Sequence, residues 1–123
     1  MVTLTKGLRP TAHYLISEAN GYRSRDVGVI ASGSGKLDSG AVLGRVTASK
    51  KLVPIAPAAS DGSQNAAAIL YEAADATSAD VRRTLTVRDA EVHAAVLVWP
   101  AGTTDNQKTA ALAQLAALGI AAR

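Results

Sequence analysis

Residues 91–119, EVHAAVLVWPAGTTDNQKTAALAQLAALG, contain the point at which the chain changes from strand-like to helix-like patterning. The first part continues a polar–apolar alternation that begins in VRRTLTV (81–87), and such alternation is typical of β-strands. Trp99 is expected to end the last of these strands, because Pro100 has no N–H to donate to a β-ladder. The chain before Pro100 is therefore predicted to be mainly β.

The stretch after Pro100 predicts one helix at about residues 105–118. Thr104 and Gln107 have the spacing of a capping box, and Gly119 stands where a helix commonly ends. One helical face is apolar, and it consists of Ala111, Leu112, Leu115 and Leu118. Such a face packs in a core or against a neighbouring subunit, and the core is the commoner case.

Three short segments upstream also have the composition of strands. They are GAVLGRVT (40–47), KLVPIAP (51–57) and AAAILYEAA (66–74). The third is ambiguous between strand and helix, but its brevity and the turn signals on both sides favour a strand. The expected fold class is therefore mainly β with one C-terminal helix, an α+β arrangement.

The N-terminal quarter has a different pattern. Residues 11–30, TAHYLISEANGYRSRDVGVI, contain two alternating runs separated by Asn20-Gly21, a dipeptide that favours a tight hairpin turn. The predicted hairpin has few apolar positions and needs a surface to lie on. We divide the chain into an N-terminal arm (1–30), a Gly/Ser linker (31–41) and a body (42–123).

The segment VIASGSGKLDSG (29–40) resembles a phosphate-binding loop only superficially. A Walker-type loop requires glycine five residues before Gly35-Lys36 and a hydroxyl residue after the lysine. Ile30 and Leu37 occupy those two positions, so nucleotide binding is rejected and the glycine-rich part is predicted to be a flexible linker.

Composition predicts a thin core. The 123 residues, the size of one domain, include 26 alanines, one Trp, three Tyr and no Phe. Alanine buries little apolar surface, so we expect part of the stability to come from association with other chains. The formal net charge is +3, with +5 in residues 1–51 and −2 in the remainder.

The residues that carry catalytic or metal chemistry form no recognisable group. The chain has no cysteine, and His13 and His93 lack a second ligand at metal-binding spacing. Asp89 and Glu91 share a strand face but have no further catalytic partner in the sequence. We expect no enzyme activity, no catalytic, cofactor-binding or metal-binding residues, and no cofactor. No apolar run is long enough for a membrane span, and the first residues do not resemble a secretory signal.

The order of these features resembles the lambda-type head decoration proteins of tailed bacteriophages. The resemblance is carried by AAILYEAADATSAD (67–80), VRDAEVHAAVLVWPAGTTDNQK (87–108) and LAALGIAAR (115–123), and it covers residues 52–123 well. LISEANGYRSRD (15–26) resembles the N-terminal segment of one branch of that family. Ala68 departs from the family, which often has glycine there.

The resemblance implies a small β-clip-like body with a helix and an extended N-terminal β-hairpin arm. It implies a homotrimer that binds the major capsid protein at threefold positions of the expanded head and stabilises the head against the pressure of packaged DNA. The expected location is the outer surface of the phage head, and the host cytoplasm before assembly. No small-molecule substrate, membrane or direct nucleic-acid partner is expected.

Under this hypothesis the arm binds the capsid protein by adding a strand to its sheet. The expected apolar anchors are Leu4, Leu8, Tyr14 and Ile16, and the expected contacts to acidic groups are Lys6, Arg9, Arg23 and Arg25. The body is expected to be built by Trp99, Leu112, Leu115 and Leu118 without direct capsid contact.

Two alternatives remain open at this point. A small basic nucleic-acid-binding protein would use the positive first half, although its charges are scattered and lack interleaved aromatic residues. A trimeric tail or fibre component would keep the same body and have a different partner.

Overall fold

The computed structural model describes residues 11–123. Ten short strands and a single α-helix near the C-terminus form a β-rich body, so the predicted fold class is confirmed. The helix α1 is Asp105–Ala117, and a 3₁₀ turn occupies Ala94–Val96. The strands are β1 (Leu15–Glu18), β2 (Arg25–Ile30), β3 (Gly35–Leu37), β4 (Val42–Arg45), β5 (Leu52–Pro54), β6 (Ala66–Leu70), β7 (Ala74–Ala76), β8 (Val81–Thr86), β9 (Ala90–Val92) and β10 (Ile120–Ala122).

Five of these strands close into a barrel in the order β2-β5-β4-β6-β8. Its longest ladder joins β2 to β8 in antiparallel register, and the parallel pair of Ile30 with Leu52 joins β2 to β5. Gly28 allows this closure, because a Cβ at that position would collide with the side chains of Leu52 and Leu85. The buried interior consists of Ile30, Ala41, Leu43, Leu52, Ala68, Leu70, Ala74, Ala76, Leu85 and Val87.

A second core lies between the barrel, the helix and a three-stranded sheet of order β1-β9-β10. Its buried members are Tyr14, Val42, Ile55, Ala66, Ile69, Val92, Leu97, Ala111, Leu115 and Ile120. The hydroxyl of Tyr14 is 2.6 Å from Oγ1 of Thr86 on the barrel strand β8, and Thr86 is itself buried. Burial raises the pKa of Tyr14, so the hydroxyl stays protonated and connects the two cores.

The helix begins as its sequence predicts. Thr104 Oγ1 accepts the N–H of Gln107 at 3.2 Å, and Gln107 Oε1 accepts the N–H of Thr104 at 2.9 Å. Gly119 follows the helix with φ of +90°, which lets the chain reverse into β10.

The predicted apolar helix face is only partly correct. Leu115 is fully buried, while Leu112 and Trp99 are partly buried and pack against the same cluster. Leu118 is 40% exposed, so its assignment to the core is wrong. The reason is that α1 ends at Ala117, and Leu118 lies in the turn that leads to β10.

Four predicted strands lie where the sequence places them, at β4, β5, β6 and β8.

The prediction of a strand that continues to Trp99 is wrong. Strand β9 ends at Val92, after which His93 donates its N–H to the carbonyl of Tyr14 at 2.8 Å. The chain then enters the 3₁₀ turn, where Val96 donates to the carbonyl of His93 at 3.2 Å.

The predicted hairpin is wrong in its pairing. Strands β1 and β2 flank Asn20-Gly21 as expected, but β1 pairs with β9, and β2 pairs with β8 and β5. Neither strand pairs with the other: Leu15 of β1 lies opposite Val92, and Arg25 of β2 lies opposite Thr86. Residues 12–30 therefore contribute to the folded body, while residues 1–10 lie outside the described part.

The predicted flexible linker is also ordered structure. Strand β3 pairs with β7, and Ser39 is fully buried. The Ser39 hydroxyl donates to the carbonyl of Tyr71 at 2.8 Å and accepts the N–H of Ala12 at 3.1 Å. Glycines 33, 35 and 40 have positive φ angles, so their role is to shape turns.

Candidate functional site

Exposed large hydrophobic side chains concentrate in one segment of the described chain. Ile16, Tyr22 and Val27 are 43%, 80% and 53% exposed, and the fourth such residue is Leu118. We call β1, the loop 19–24 and residues 25–27 of β2 the β1–β2 surface. Tyr22 and Val27 line the same groove, and exposed apolar side chains that lie near one another often mark a protein-binding region.

Within the described residues, one edge of β1 has no strand neighbour. In its sheet β1 is the outer strand, and among residues 11–123 it has a strand neighbour, β9, on one side only. An outer strand presents N–H and C=O groups that an extended segment of another chain can bond.

The loop between β1 and β2 is fixed at its ends. Ser24 is buried; its hydroxyl accepts the N–H of Ala19 at 2.9 Å and donates to the carbonyl of Asp89 at 2.8 Å. Arg25 donates its N–H to the carbonyl of Tyr22 at 3.0 Å. Tyr22 is therefore presented to solvent from a loop of defined shape.

Arg25 forms the electrostatic centre of this surface. Its guanidinium bonds both carboxylate oxygens of Glu18 at 2.9 Å each, and its Cζ lies 4.4 Å from the ring centroid of Tyr71 and 6.0 Å from that of Tyr22. The hydrogen bonds to Glu18 raise the pKa of Arg25. Since bidentate pairs fix geometry, this contact joins the end of β1 to the start of β2.

An open groove of about 390 Å³ lies beside this pair. It is lined by Tyr22, Arg25, Asp26, Val27 and Thr84. Apolar and charged groups therefore meet in one shallow depression, which suits a protein side chain better than an enclosed small-molecule site.

Seven of the eight expected capsid-contact residues fall into three groups. Leu4, Lys6, Leu8 and Arg9 lie outside the described residues. Ile16 and Arg23 lie on the surface, where Arg23 is 3.5 Å from Asp89. Arg25 is held by Glu18, as described above.

The expectation that Tyr14 anchors the arm to a partner is wrong for this conformation. Tyr14 has no exposed surface, because its ring fills the core between the sheet and the barrel. An alternating pattern identifies the residues of one strand face, but it does not say which face is covered by the chain itself.

Tyr22 was missed as a candidate. Its sequence signal is an aromatic residue directly after the Asn-Gly turn and three positions before Arg25. Turn residues are usually solvent-exposed, so an aromatic side chain in a turn is a candidate contact residue.

The positive charge of the first half is partly compensated by carboxylates. Arg23, Arg25 and Lys51 each have an acidic partner within 4 Å. In the later part of the chain the same holds for Arg83, Arg88 and Arg123.

Residues 11–123 lack two features that other functions would use. They contain no group of three or more His, Cys, Asp or Glu residues placed to hold a metal ion. No helix in this part of the chain has the length and apolarity needed to cross a membrane.

Comparison with known protein families gives a match over most of the chain. The family model described as Bacteriophage lambda head decoration protein D matches residues 3–120 of the 123-residue chain. The match includes the β1–β2 surface, both cores and the helix. No curated protein matches the chain.

Proposed function

Because the chain belongs to the bacteriophage lambda head decoration protein D family, we propose that it binds the expanded phage head as a homotrimer at threefold positions. The family is structural, and membership places the chain in the virion in association with the capsid. The trimer, the threefold positions, the outer surface and the stabilisation against packaged DNA are the finer parts of the proposal. The partner is the major capsid protein.

The exposure of Ile16, Tyr22 and Val27 carries the proposal. In a chain with so few large apolar residues, the three that lie between positions 16 and 27 are left in water. Burying them against a partner recovers a hydrophobic free energy that the folded monomer does not gain.

The outer position of β1 supports a mode of binding. An extended segment of the capsid protein adds a strand beside β1, so that backbone hydrogen bonds provide affinity and alternating side chains set the register. Leu4, Leu8, Lys6 and Arg9 precede this strand, and we propose that they extend the contact toward apolar and acidic groups of the capsid.

The composition of the core supports association into trimers. Among residues 11–123, seven of the 21 buried hydrophobic residues are alanine, and Tyr14 is the only aromatic one. Three linked contacts also make the second and third binding events intramolecular, which raises avidity about 100-fold or more.

The first experiment measures co-sedimentation with expanded heads that lack the decoration protein. We compare the wild type with the triple variant Ile16→Ser, Tyr22→Ala, Val27→Ser. A minority of interface residues, enriched in Tyr, each cost more than about 1 kcal/mol of binding free energy when they are truncated, and the triple variant removes a Tyr and two further apolar contacts. The triple variant is therefore expected to bind at least about tenfold more weakly, since tenfold corresponds to about 1.4 kcal/mol.

Leu118→Ser is the matched control, because Leu118 is a similarly exposed hydrophobic residue outside the β1–β2 surface. It is expected to bind expanded heads like the wild type, and none of the proteins should sediment with unexpanded heads. Equal binding by the triple variant, or an equal loss in Leu118→Ser, would contradict the proposed contact.

A Leu4→Ser, Leu8→Ser variant tests the residues before β1. Deleting residues 1–30 is unsuitable, because it removes Tyr14 from one core and β2 from the barrel. Counting bound chains per head tests the trimer, and saturation at a number that is not three per threefold position would exclude it. Sedimentation equilibrium of the free protein shows whether the trimer forms before binding or only on the head.

A further inference from the structure

The loop between β1 and β2 contains a dipeptide whose chemistry the proposed function does not use. Asn20-Gly21 is the only asparagine–glycine pair in the sequence; the other two asparagines are Asn65 and Asn106. Asn20 is exposed, and within the described residues neither its side-chain amide nor the backbone N–H of Gly21 makes a hydrogen bond.

The surroundings of Gly21 are open. Its φ is +71°, and no heavy atom lies within 4 Å of the position that a Cβ would occupy. The Ser24 hydroxyl accepts the N–H of Ala19, so the two ends of the loop are joined. Within the described residues, the Asn20-Gly21 dipeptide between them makes no hydrogen bond. Nothing in the described structure shields the nitrogen of Gly21 from the side chain of Asn20.

From this geometry we infer that Asn20 is a site of spontaneous deamidation in the folded protein. The backbone nitrogen of Gly21 attacks Cγ of Asn20 and forms a C–N bond that closes a five-membered succinimide. The bond from Cγ to the side-chain nitrogen breaks, and that nitrogen leaves as ammonia with the proton from Gly21. Water then opens the ring at either carbonyl and gives aspartate or isoaspartate.

The other two asparagines provide an internal contrast, because in both cases the next backbone N–H is already bonded. The N–H after Asn65 belongs to Ala66, and it donates to Oε1 of Gln114 at 2.7 Å. Asn65 is further held by Nε2 of Gln114 at 3.0 Å.

The N–H that follows Asn106 is also bonded, in this case within the capping box of α1. The N–H that follows it belongs to Gln107 and donates to Oγ1 of Thr104 at 3.2 Å. The reaction at Asn65 or Asn106 therefore requires a hydrogen bond to break first, and at Asn20 it does not.

Deamidation changes the β1–β2 surface, which is expected to alter binding to the head. This consequence for binding rests on the proposed function. A carboxylate at position 20 lowers the formal net charge from +3 to +2. Isoaspartate also lengthens the main chain by one methylene between Ala19, which Ser24 holds, and the exposed ring of Tyr22. The loop must then move, so aged protein is expected to bind expanded heads more weakly.

Deamidation at Asn20 is tested with the purified protein in the absence of heads. Folded full-length protein is kept at neutral pH and physiological temperature, and peptide mapping by mass spectrometry separates asparagine, aspartate and isoaspartate at each position. Freeing a bonded N–H costs roughly a factor of ten in rate, so Asn20 is expected to convert at least about tenfold faster than Asn65 and Asn106. Equal rates at the three positions would overturn the inference.

A synthetic SEANGYR peptide and an Asn20→Gln variant complete the test. An open loop predicts that Asn20 reacts in the folded protein at a rate within a few-fold of the peptide. An intact Asn20 after the peptide has converted would show that the fold protects it and would overturn the inference. Asn20→Gln should stay unmodified, since its ring closure would need six members.

The consequence for binding has a separate readout. Aged wild type, aged Asn20→Gln and fresh wild type are compared on expanded heads. Weaker binding by the aged wild type alone supports the consequence. If fresh wild type binds and the deamidated protein binds equally well, the consequence is wrong while the modification site stands. If fresh wild type does not bind, the proposed function fails instead.

Discussion

Strand β2 belongs to two regions, one of which buries its apolar side chains while the other exposes them. At its end Ile30 is fully buried inside the barrel, while three residues earlier Val27 is 53% exposed on the β1–β2 surface. Every barrel strand has two neighbours, whereas β1 at the other side of the surface has one among the described residues. The barrel interior thus buries its apolar residues, and the β1–β2 surface leaves three of its own exposed.

The difference matters because the chain has few large apolar residues. A protein with 26 alanines and no Phe has few large apolar side chains to bury. Because Ile16, Tyr22 and Val27 are exposed, they contribute little hydrophobic free energy to the folding of a single chain. Substitutions in the two regions should therefore separate folding from binding.

The largest effect is expected inside the barrel, from Leu85→Ala. Leu85 has no exposed surface and packs among the buried residues of the barrel. Removing a buried leucine side chain leaves a cavity, and the free energy of unfolding should fall by about 2–5 kcal/mol. Urea denaturation measures this change. Thr84→Ala, one position away on the outer face, is the control, and a similar loss there would contradict the distinction.

A smaller effect is expected where the two cores meet, from Tyr14→Phe. The substitution leaves Thr86 Oγ1 buried without its partner, which should cost about 1–3 kcal/mol of unfolding free energy. Replacing both groups removes the unpaired hydroxyl, so Tyr14→Phe combined with Thr86→Val should recover most of the loss. Additive losses in the double variant would show that the hydrogen bond does not couple the cores.

The smallest effect is expected on the outer face of the three-stranded sheet, at Glu91. Hydrogen bonds from Arg123 at 2.7 Å and Ser17 at 2.9 Å lower the pKa of Glu91 below its ordinary value of 4.5. A lowered folded-state pKa contributes stability above pH 4.5, and this contribution disappears as the pH falls through the folded-state pKa.

Glu91→Gln should therefore lower the thermal midpoint at neutral pH and have a diminishing effect as the pH falls toward about 3. The measurement is the midpoint difference between variant and wild type across this range. Glu72→Gln is a control, because its carboxylate lies 3.9 Å from Arg83 and makes a looser pair. A Glu91→Gln effect that does not change with pH would contradict the assignment to charge.

The parts of the fold that depend on local chemistry were predictable. The helix begins directly after its N-cap Thr104 and the chain turns at Gly119, because a capping box and a positive-φ glycine act within a few residues. Strand positions such as β8 follow from alternation. Pairing was not predictable, since Asn20-Gly21 indicates a hairpin while Leu15 pairs with Val92 on a distant strand.

The candidate site was predictable in location but not in its residues. The alternating segment 11–30 does contain the exposed residues Ile16 and Val27. The same alternation could not show that Tyr14 faces the core, because its partner Thr86 is 72 residues away. Arg25 looked like a free cation in sequence, and only the fold shows that Glu18 holds it.

The contacts of Ala12 and Tyr14 attach the N-terminal end of the described chain to the rest of the fold. A force applied at Thr11 would first reach Ala12, whose N–H is bonded to the Tyr71 carbonyl and the Ser39 hydroxyl. It then passes through the Tyr14 hydroxyl to Thr86 on β8. The pulling force is thus distributed into a closed barrel, which has no outer strand from which unzipping can start.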